Sequence, residues 1–169
     1  IIDINGLKSE IESFKFPLNF IDFETSSPAI PFFSGYRPYE GLCFQFSHHI
    51  LYEDGTVEHK NEFLGVGRGV NPSFDFIDSL HQALTNNLGD IFMYSHHENT
   101  YLIKLLLKNS PFTKDKTSEL ILFLQSITKP SKDITPKWKV GNRQMIDMAE
   151  MVRSYYWHPE MKGSNSIKQ

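Results

Sequence analysis

The chain is 169 residues long, 40% hydrophobic and 14% aromatic, with fourteen Phe and a formal charge of −3. Such a chain makes one globular domain with a large, ring-rich core, and it lacks the basic excess that marks most nucleic-acid binders. A single cysteine, Cys43, excludes an internal disulfide and suits a reducing cytoplasm, and no apolar run approaches the roughly 18 residues of a membrane span. The chain starts without Met and stops at S-N-S-I-K-Q with no closing element. This predicts a C-terminally truncated piece of a longer protein, whose other domains are then expected partners.

In chain order, Leu7, Ile11 and Phe14 recur at helical spacing, so a short leading helix is expected within Ile1–Phe16, ended by Pro17. Pro17–Thr25 (P-L-N-F-I-D-F-E-T) reads as a buried strand interrupted by two acids. Ser26–Glu40 holds three prolines, a glycine and four aromatic rings. A loop of that length in a compact domain is functional or disordered, and its rings argue against disorder. Gly41–Tyr52 reads as a strand with Phe44, Phe46 and Ile50 on one face and Cys43, Gln45, Ser47 and His49 on the other. The Asp54-Gly55 pair predicts a hairpin turn, with Val57–Leu64 as the returning strand.

Gly65–Pro72 is glycine-rich but matches no phosphate-loop fingerprint and reads as a linker. Ser73 is expected to cap a helix buried through Phe74, Ile77, Leu80, Leu84 and Leu88 and stopped by Gly89. Asp90–His96 is a short buried strand, Glu98–Lys108 a helix apolar nearly all round, and Asp115–Thr128 an amphipathic helix burying Leu120, Phe123, Leu124 and Ile127. Lys129–Asn142 is a loop carrying Lys129, Lys132, Lys137, Lys139 and Trp138. Met145–Met148 then forms a strand and Ala149–Trp157 a helix. Three strands joined by hairpin-length turns, followed by strands alternating with helices, predict an α/β fold with a mixed sheet flanked by helices.

The stretch that carries chemistry is D-x-E in Pro17–Thr25. Alternation along a strand sends Asp22 and Glu24 to one face, roughly 7 Å apart. Two acids in an apolar strand are costly unless a positive partner meets them, and a hard divalent cation, Mg²⁺ or Mn²⁺, is the natural one. The competing reading is a strand end where both acids are solvated or cap the next turn.

The ordered words F-I-D-F-E-T, M-Y-S-H-H-E-N-T-Y-L and M-I-D-M-A-E-M-V-R change that balance. Together they resemble the ribonuclease-H-like fold, in particular the DEDD exonuclease superfamily. D-F-E-T-x-x-P-A-I-P, R-P-Y-E, F-Q-F-S-H-H and W-H-P-E-M-K-G-S-N-S-I-K further resemble a bacterial group of predicted nucleases of that fold, over essentially the whole chain. The resemblance implies three antiparallel strands followed by parallel ones. It also implies metal binding by Asp22, Glu24 and Glu98, with Asp147 near the site as substitute ligand or helix cap. The superfamily's last acid would lie beyond Gln169, so the two-metal site is expected to be incomplete within this chain.

The implied activity is metal-dependent hydrolysis of phosphodiester bonds, as a 3′–5′ exonuclease on single-stranded DNA or RNA. The rival is an inactive nucleic-acid-binding or assembly module of the same fold. His96 and His97 beside Glu98 are either structural or a supply of the base. Phe32, Phe33, Tyr36 and Tyr39 are expected to stack on unpaired bases or to plug the sheet edge, and Arg37 to meet a phosphate. The basic stretch 129–143 either tracks a strand backbone or is a solvated loop.

Overall fold

A computed structural model describes residues 1–108, 117–130 and 141–165. Its strands and α-helices, among the described residues, are α1 (Ile4–Glu12), β1 (Leu18–Ser26), β2 (Leu42–Leu51), β3 (Val57–Leu64), α2 (Ser73–Thr85), β4 (Ile91–Met93), α3 (His97–Lys108), α4 (Thr117–Ile127), β5 (Ile146–Asp147) and α5 (Met148–Tyr155), followed by a 3-10 turn at Pro159–Met161. The strands form one mixed sheet in the order β3-β2-β1-β4-β5. The pairs β1–β2 and β2–β3 are antiparallel, whereas β4 runs parallel to β1 and β5 parallel to β4. The protein is therefore α/β, with a five-stranded sheet flanked by helices, and β1 is its central strand. No helix among the described residues is long and apolar enough to cross a membrane.

The hairpin between β2 and β3 forms where Asp-Gly predicts it. Gly55 adopts a φ of 87°, Asp54 accepts from the Thr56 N–H, and β3 has the expected bounds. Alternation along β1 buries Ile21 and Phe23 on one face. There they join Phe46, Ile91 and Met93 under helices α2, α3 and α4. Phe76 sits at the centre of this core, with ring centroids 5.0, 5.5 and 5.8 Å from Phe23, Phe46 and Phe63. On the opposite face Phe20 stacks on Phe92 at 5.1 Å, with Phe14 edge-on at 4.9 Å.

Several expectations need correction. Cys43 does not face away from Phe46: the pairing skips one β2 residue between Glu24 and Thr25, and this bulge turns Cys43 into the same core. Ser73 does not cap α2. It is buried, its N–H donates to Asn71 Oδ1 at 3.0 Å, and its hydroxyl lies 2.9 Å from that of Tyr36. The face of α2 is rotated so that Phe76 is fully buried, Phe74 only packs against the core, and Leu88 lies beyond the helix end at 85% exposed. Helix α3 is apolar and buried on one side, with Leu107 exposed on the other. Strand β4 covers only the first part of the predicted Asp90–His96 segment. The first residues of the predicted Asp115–Thr128 helix and most of the lysine-rich loop lie outside the described residues.

The beginning of β1 is tied down by a polar network. Asn19, fully buried, donates from Nδ2 to Pro17 O, Asp90 O and Asn87 Oδ1, and its Oδ1 accepts from Asn87 Nδ2. His48 Nε2 lies 3.0 Å from that same Oδ1, and His48 Nδ1 lies 3.2 Å from Asn61 Oδ1. Arg143, read as part of a stretch that either tracks a strand backbone or is a solvated loop, is instead turned inward. It donates to Gly89 O at 2.9 Å, to Asn87 Oδ1 at 3.3 Å and to Leu84 O, near the end of α2. Gly89 is required here, because a Cβ would come within 1.7 Å of Pro17 O.

Candidate functional site

Strands β1, β4 and β5 run parallel, so their C-terminal ends meet at one edge of the sheet. In open α/β sheets that edge is where ligands bind. Four acids expected from the sequence lie on the segments that converge there. Asp22 and Glu24 are exposed on the face of β1 opposite Ile21 and Phe23, directly across from Ser47 and Gln45 of β2.

Glu98 is the second residue of α3. Only 3% of it is exposed, and its Oε2 has no hydrogen-bond partner. An unpaired buried carboxylate oxygen is expensive, so the site asks for a cation or a proton. Burial pushes the Glu98 carboxyl up to about 7; the charges of Asp22 and Asp147 push the same way, and the N–H groups of Glu98 and Phe23 oppose them. Glu98 thus feels both other acids. Its charge also helps burial push the Cys43 thiol up to about 12, with burial the larger cause.

Asp147 ends β5 and caps α5. Its Oδ1 accepts from the Ala149 N–H at 2.9 Å and from the Ser95 N–H at 2.8 Å, and its Oδ2 stands 3.9 Å from Arg153. Of the roles expected for it, the helix cap is present, and its charge also reaches Glu98. Ser95 adopts a φ of 71°, a left-handed conformation costing a non-glycine residue about 1–3 kcal/mol. That turn is what brings the start of α3 against the end of β5.

The structure thus brings Asp22, Glu98 and Asp147 into one field, while Glu24 shares the exposed face of Asp22. Among the described residues no three His, Cys, Asp or Glu side chains stand together closely enough to hold a metal ion. The chemistry of the donors still fits a hard cation, because Asp22 and Glu98 offer carboxylate oxygens and one of them is buried without a partner. Asp147 has Oδ1 committed to two N–H groups and only Oδ2 to spare.

The two histidines separate. His97 is held structurally, with Nε2 3.1 Å from Thr25 Oγ1 and its ring 4.6 Å from that of Tyr101. His96 instead lines a groove of about 490 Å³ together with Asp147, Asn99 and Lys129. Asn99 fixes one wall of it by exchanging two hydrogen bonds with the Lys129 backbone.

The aromatic loop divides in the same way. Phe33 packs edge-on to Tyr36, whose hydroxyl is bound at Ser73, whereas Phe32 and Tyr39 stand 65% and 72% exposed. Arg37 and Tyr39 line a second groove, of about 660 Å³, whose other wall is α3 with Lys104. Lys104 lines both grooves. Sequence reasoning missed it, although it is the only charged residue between Glu98 and Lys108 in an otherwise apolar helix.

Fold and site together define an α/β domain with a partly buried carboxylate centre at the C-terminal ends of its parallel strands. The chain belongs to the family described as Domain of unknown function (DUF2779), whose model matches residues 19–166. No curated protein and no solved structure matches it.

Proposed function

We propose that this domain is a metal-dependent nuclease of ribonuclease-H-like fold that hydrolyses phosphodiester bonds, acting as a 3′–5′ exonuclease on single-stranded DNA or RNA. The reading is carried by Glu98, a buried carboxylate with an unpartnered oxygen under the charges of Asp22 and Asp147. It is supported by the strand order β3-β2-β1-β4-β5, with D-x-E on the central strand and acids at the start of α3 and the end of β5. Asp22 and Glu98 are the residues that would hold Mg²⁺ or Mn²⁺, with Glu24 on the solvent side. A bound divalent cation supplies an activated water and stabilises the leaving oxygen of a phosphodiester.

The chain's own residues do the rest. Glu98, its carboxyl pushed up to about 7 mainly by burial, holds a proton near neutral pH and would give it up in binding a cation. Asp147 locks the Ser95 turn and so fixes where the start of α3 stands. His96 lines the groove beside Asp147 and so stands where a bound strand would pass.

The test is cleavage of an end-labelled single strand by the full-length protein in Mn²⁺, with Asp22→Asn as the variant. Loss of cleavage to background is expected. Cleavage at the native rate removes Asp22 as a ligand, and the nuclease reading goes with it.

A further inference from the structure

Lys104 lines both grooves, so the wall of α3 joins them. One groove carries His96 and Asp147; the other carries Arg37 and Tyr39. Lys104 lies six residues beyond Glu98 on the same helix, roughly 9 Å further along its axis. Its ammonium sits 4.9 Å from the centroid of the Tyr101 ring, and among the described residues it has no carboxylate partner.

The opposite wall is shaped in advance. The Tyr39 N–H donates to Pro28 O at 2.9 Å, the Glu40 N–H to Arg37 O at 3.0 Å, and the Arg37 N–H to Glu40 Oε2 at 2.7 Å. Tyr39 itself adopts a φ of 61°, in the left-handed region. A bulky residue held there costs free energy, and such strain gathers at ligand-contacting positions. Here it holds a large ring in water in a groove that Arg37, Lys104 and Glu40 also line. An exposed ring in a groove with two cations suits a ligand that alternates flat faces with negative charge.

We infer that the two grooves form one track for single-stranded nucleic acid, with an unpaired base stacked on Tyr39 and backbone phosphates at Arg37 and Lys104. The inference rests on the nuclease reading for the direction of the track, toward Asp147 and Glu98, and adds the subsite that grips the strand away from the reacting bond. Base stacking on an aromatic side chain tolerates any sequence, and phosphate contacts by Arg and Lys make binding salt-dependent. The track therefore grips unpaired strands without regard to sequence.

Anisotropy of a fluorescein-labelled oligothymidylate, measured with the full-length protein in EDTA, isolates binding from turnover. Tyr39→Ala and Lys104→Gln are each expected to weaken binding about tenfold, and Lys104→Gln to reduce the slope of log affinity against log salt by about one. Tyr39→Phe and Lys104→Arg should retain most of the affinity, and Arg37→Gln, at a third exposed position, gives an independent reading. Native affinity and an unchanged salt slope in all three truncations overturn the track. So does displacement of the strand by an equal concentration of inorganic phosphate, which means an isolated phosphate site. Mn²⁺-dependent cleavage scores the nuclease reading separately. Strand binding that survives in a cleavage-dead Asp22→Asn protein leaves the track standing, whereas groove variants that bind and cut like the native protein overturn the track alone.

Discussion

The two ends of β1 both hold polar groups away from water, and they solve the problem in opposite ways. At the beginning, Asn19, His48, Asn87 and Arg143 satisfy one another and the surrounding carbonyls, so the cluster is closed. At the far end Glu98 is buried with an unpartnered oxygen beside two further acids. Closed networks specify a structure, because each member is expensive to remove. An open cluster is expensive as it stands, and the fold keeps it at the edge where open α/β sheets generally bind ligands. The first end is scaffold, and the second is the proposed site.

The sharpest way to break this contrast is to damage the closed end. Asn19→Leu leaves the Pro17 carbonyl, the Asn87 amide and His48 Nε2 without their shared partner, while Asp90 O keeps the backbone N–H of residue 19, so a loss of about 4 kcal/mol is expected in chemical denaturation. A loss under about 1 kcal/mol would show that the network is ornamental.

The open end should respond in the other direction. Glu98 has a folded pKa of about 7 against an ordinary value of 4.5, so the neutral form is favoured by folding. Stability is therefore fully present below pH 4.5 and is lost as pH rises through 7, by about 3 kcal/mol without divalent cations. Glu98→Gln should abolish that loss, melting higher than the native protein at pH 8 in EDTA and alike near pH 4. A variant that melts lower at pH 8 would make Glu98 a structural residue.

Asp147 lies between the two cases. Asp147→Ala frees the Ser95 and Ala149 N–H groups and should cost about 2 kcal/mol. Asp147→Asn keeps the accepting Oδ1, so it should leave the melting temperature nearly unchanged while lowering Mn²⁺-dependent cleavage. Equal melting losses in both variants would mean that the charge, rather than the cap, holds the turn.

The smallest effect is expected at His48. Burial chiefly, and the charges of His49, Arg143 and His59, lower its pKa below 6.5, although the Asn61 hydrogen bond opposes them. A lowered pKa favours the neutral ring, so stability is present above pH 6.5 and lost as pH falls below it, at no more than about 1.4 kcal/mol per unit. Because Asn19 Oδ1 faces Nε2, the proton belongs on Nε2, and an Asn61 amide that turns its NH₂ to Nδ1 completes the network. Nitrogen-15 shifts of a neutral Nε2–H tautomer at pH 7 check this; an imidazolium at that pH contradicts it.

How much of this was legible differs between the two ends for physical reasons. Asp22 and Glu24 share a face because alternation is a local property, readable from L-N-F-I-D-F-E-T alone. The hairpin was equally local. Cys43 was misplaced because a bulge shifts the phase of β2 without any mark in its residues. The closed network joins Asn19, His48, Asn87 and Arg143 from four separate segments, so no window of sequence contains it. Lys104 was hidden for a similar reason: a lone lysine on an apolar helix becomes notable only when a distant loop supplies the facing wall.

The most direct measurement on the open end is the melting temperature of the full-length protein at pH 8 in EDTA and in Mn²⁺, for native protein and Glu98→Gln. A cation held by Asp22 and Glu98 predicts that Mn²⁺ stabilises the native protein and leaves Glu98→Gln where it was, since binding to the folded state raises its stability. Mn²⁺ that shifts neither protein, or shifts both equally, would contradict a metal centre at Glu98.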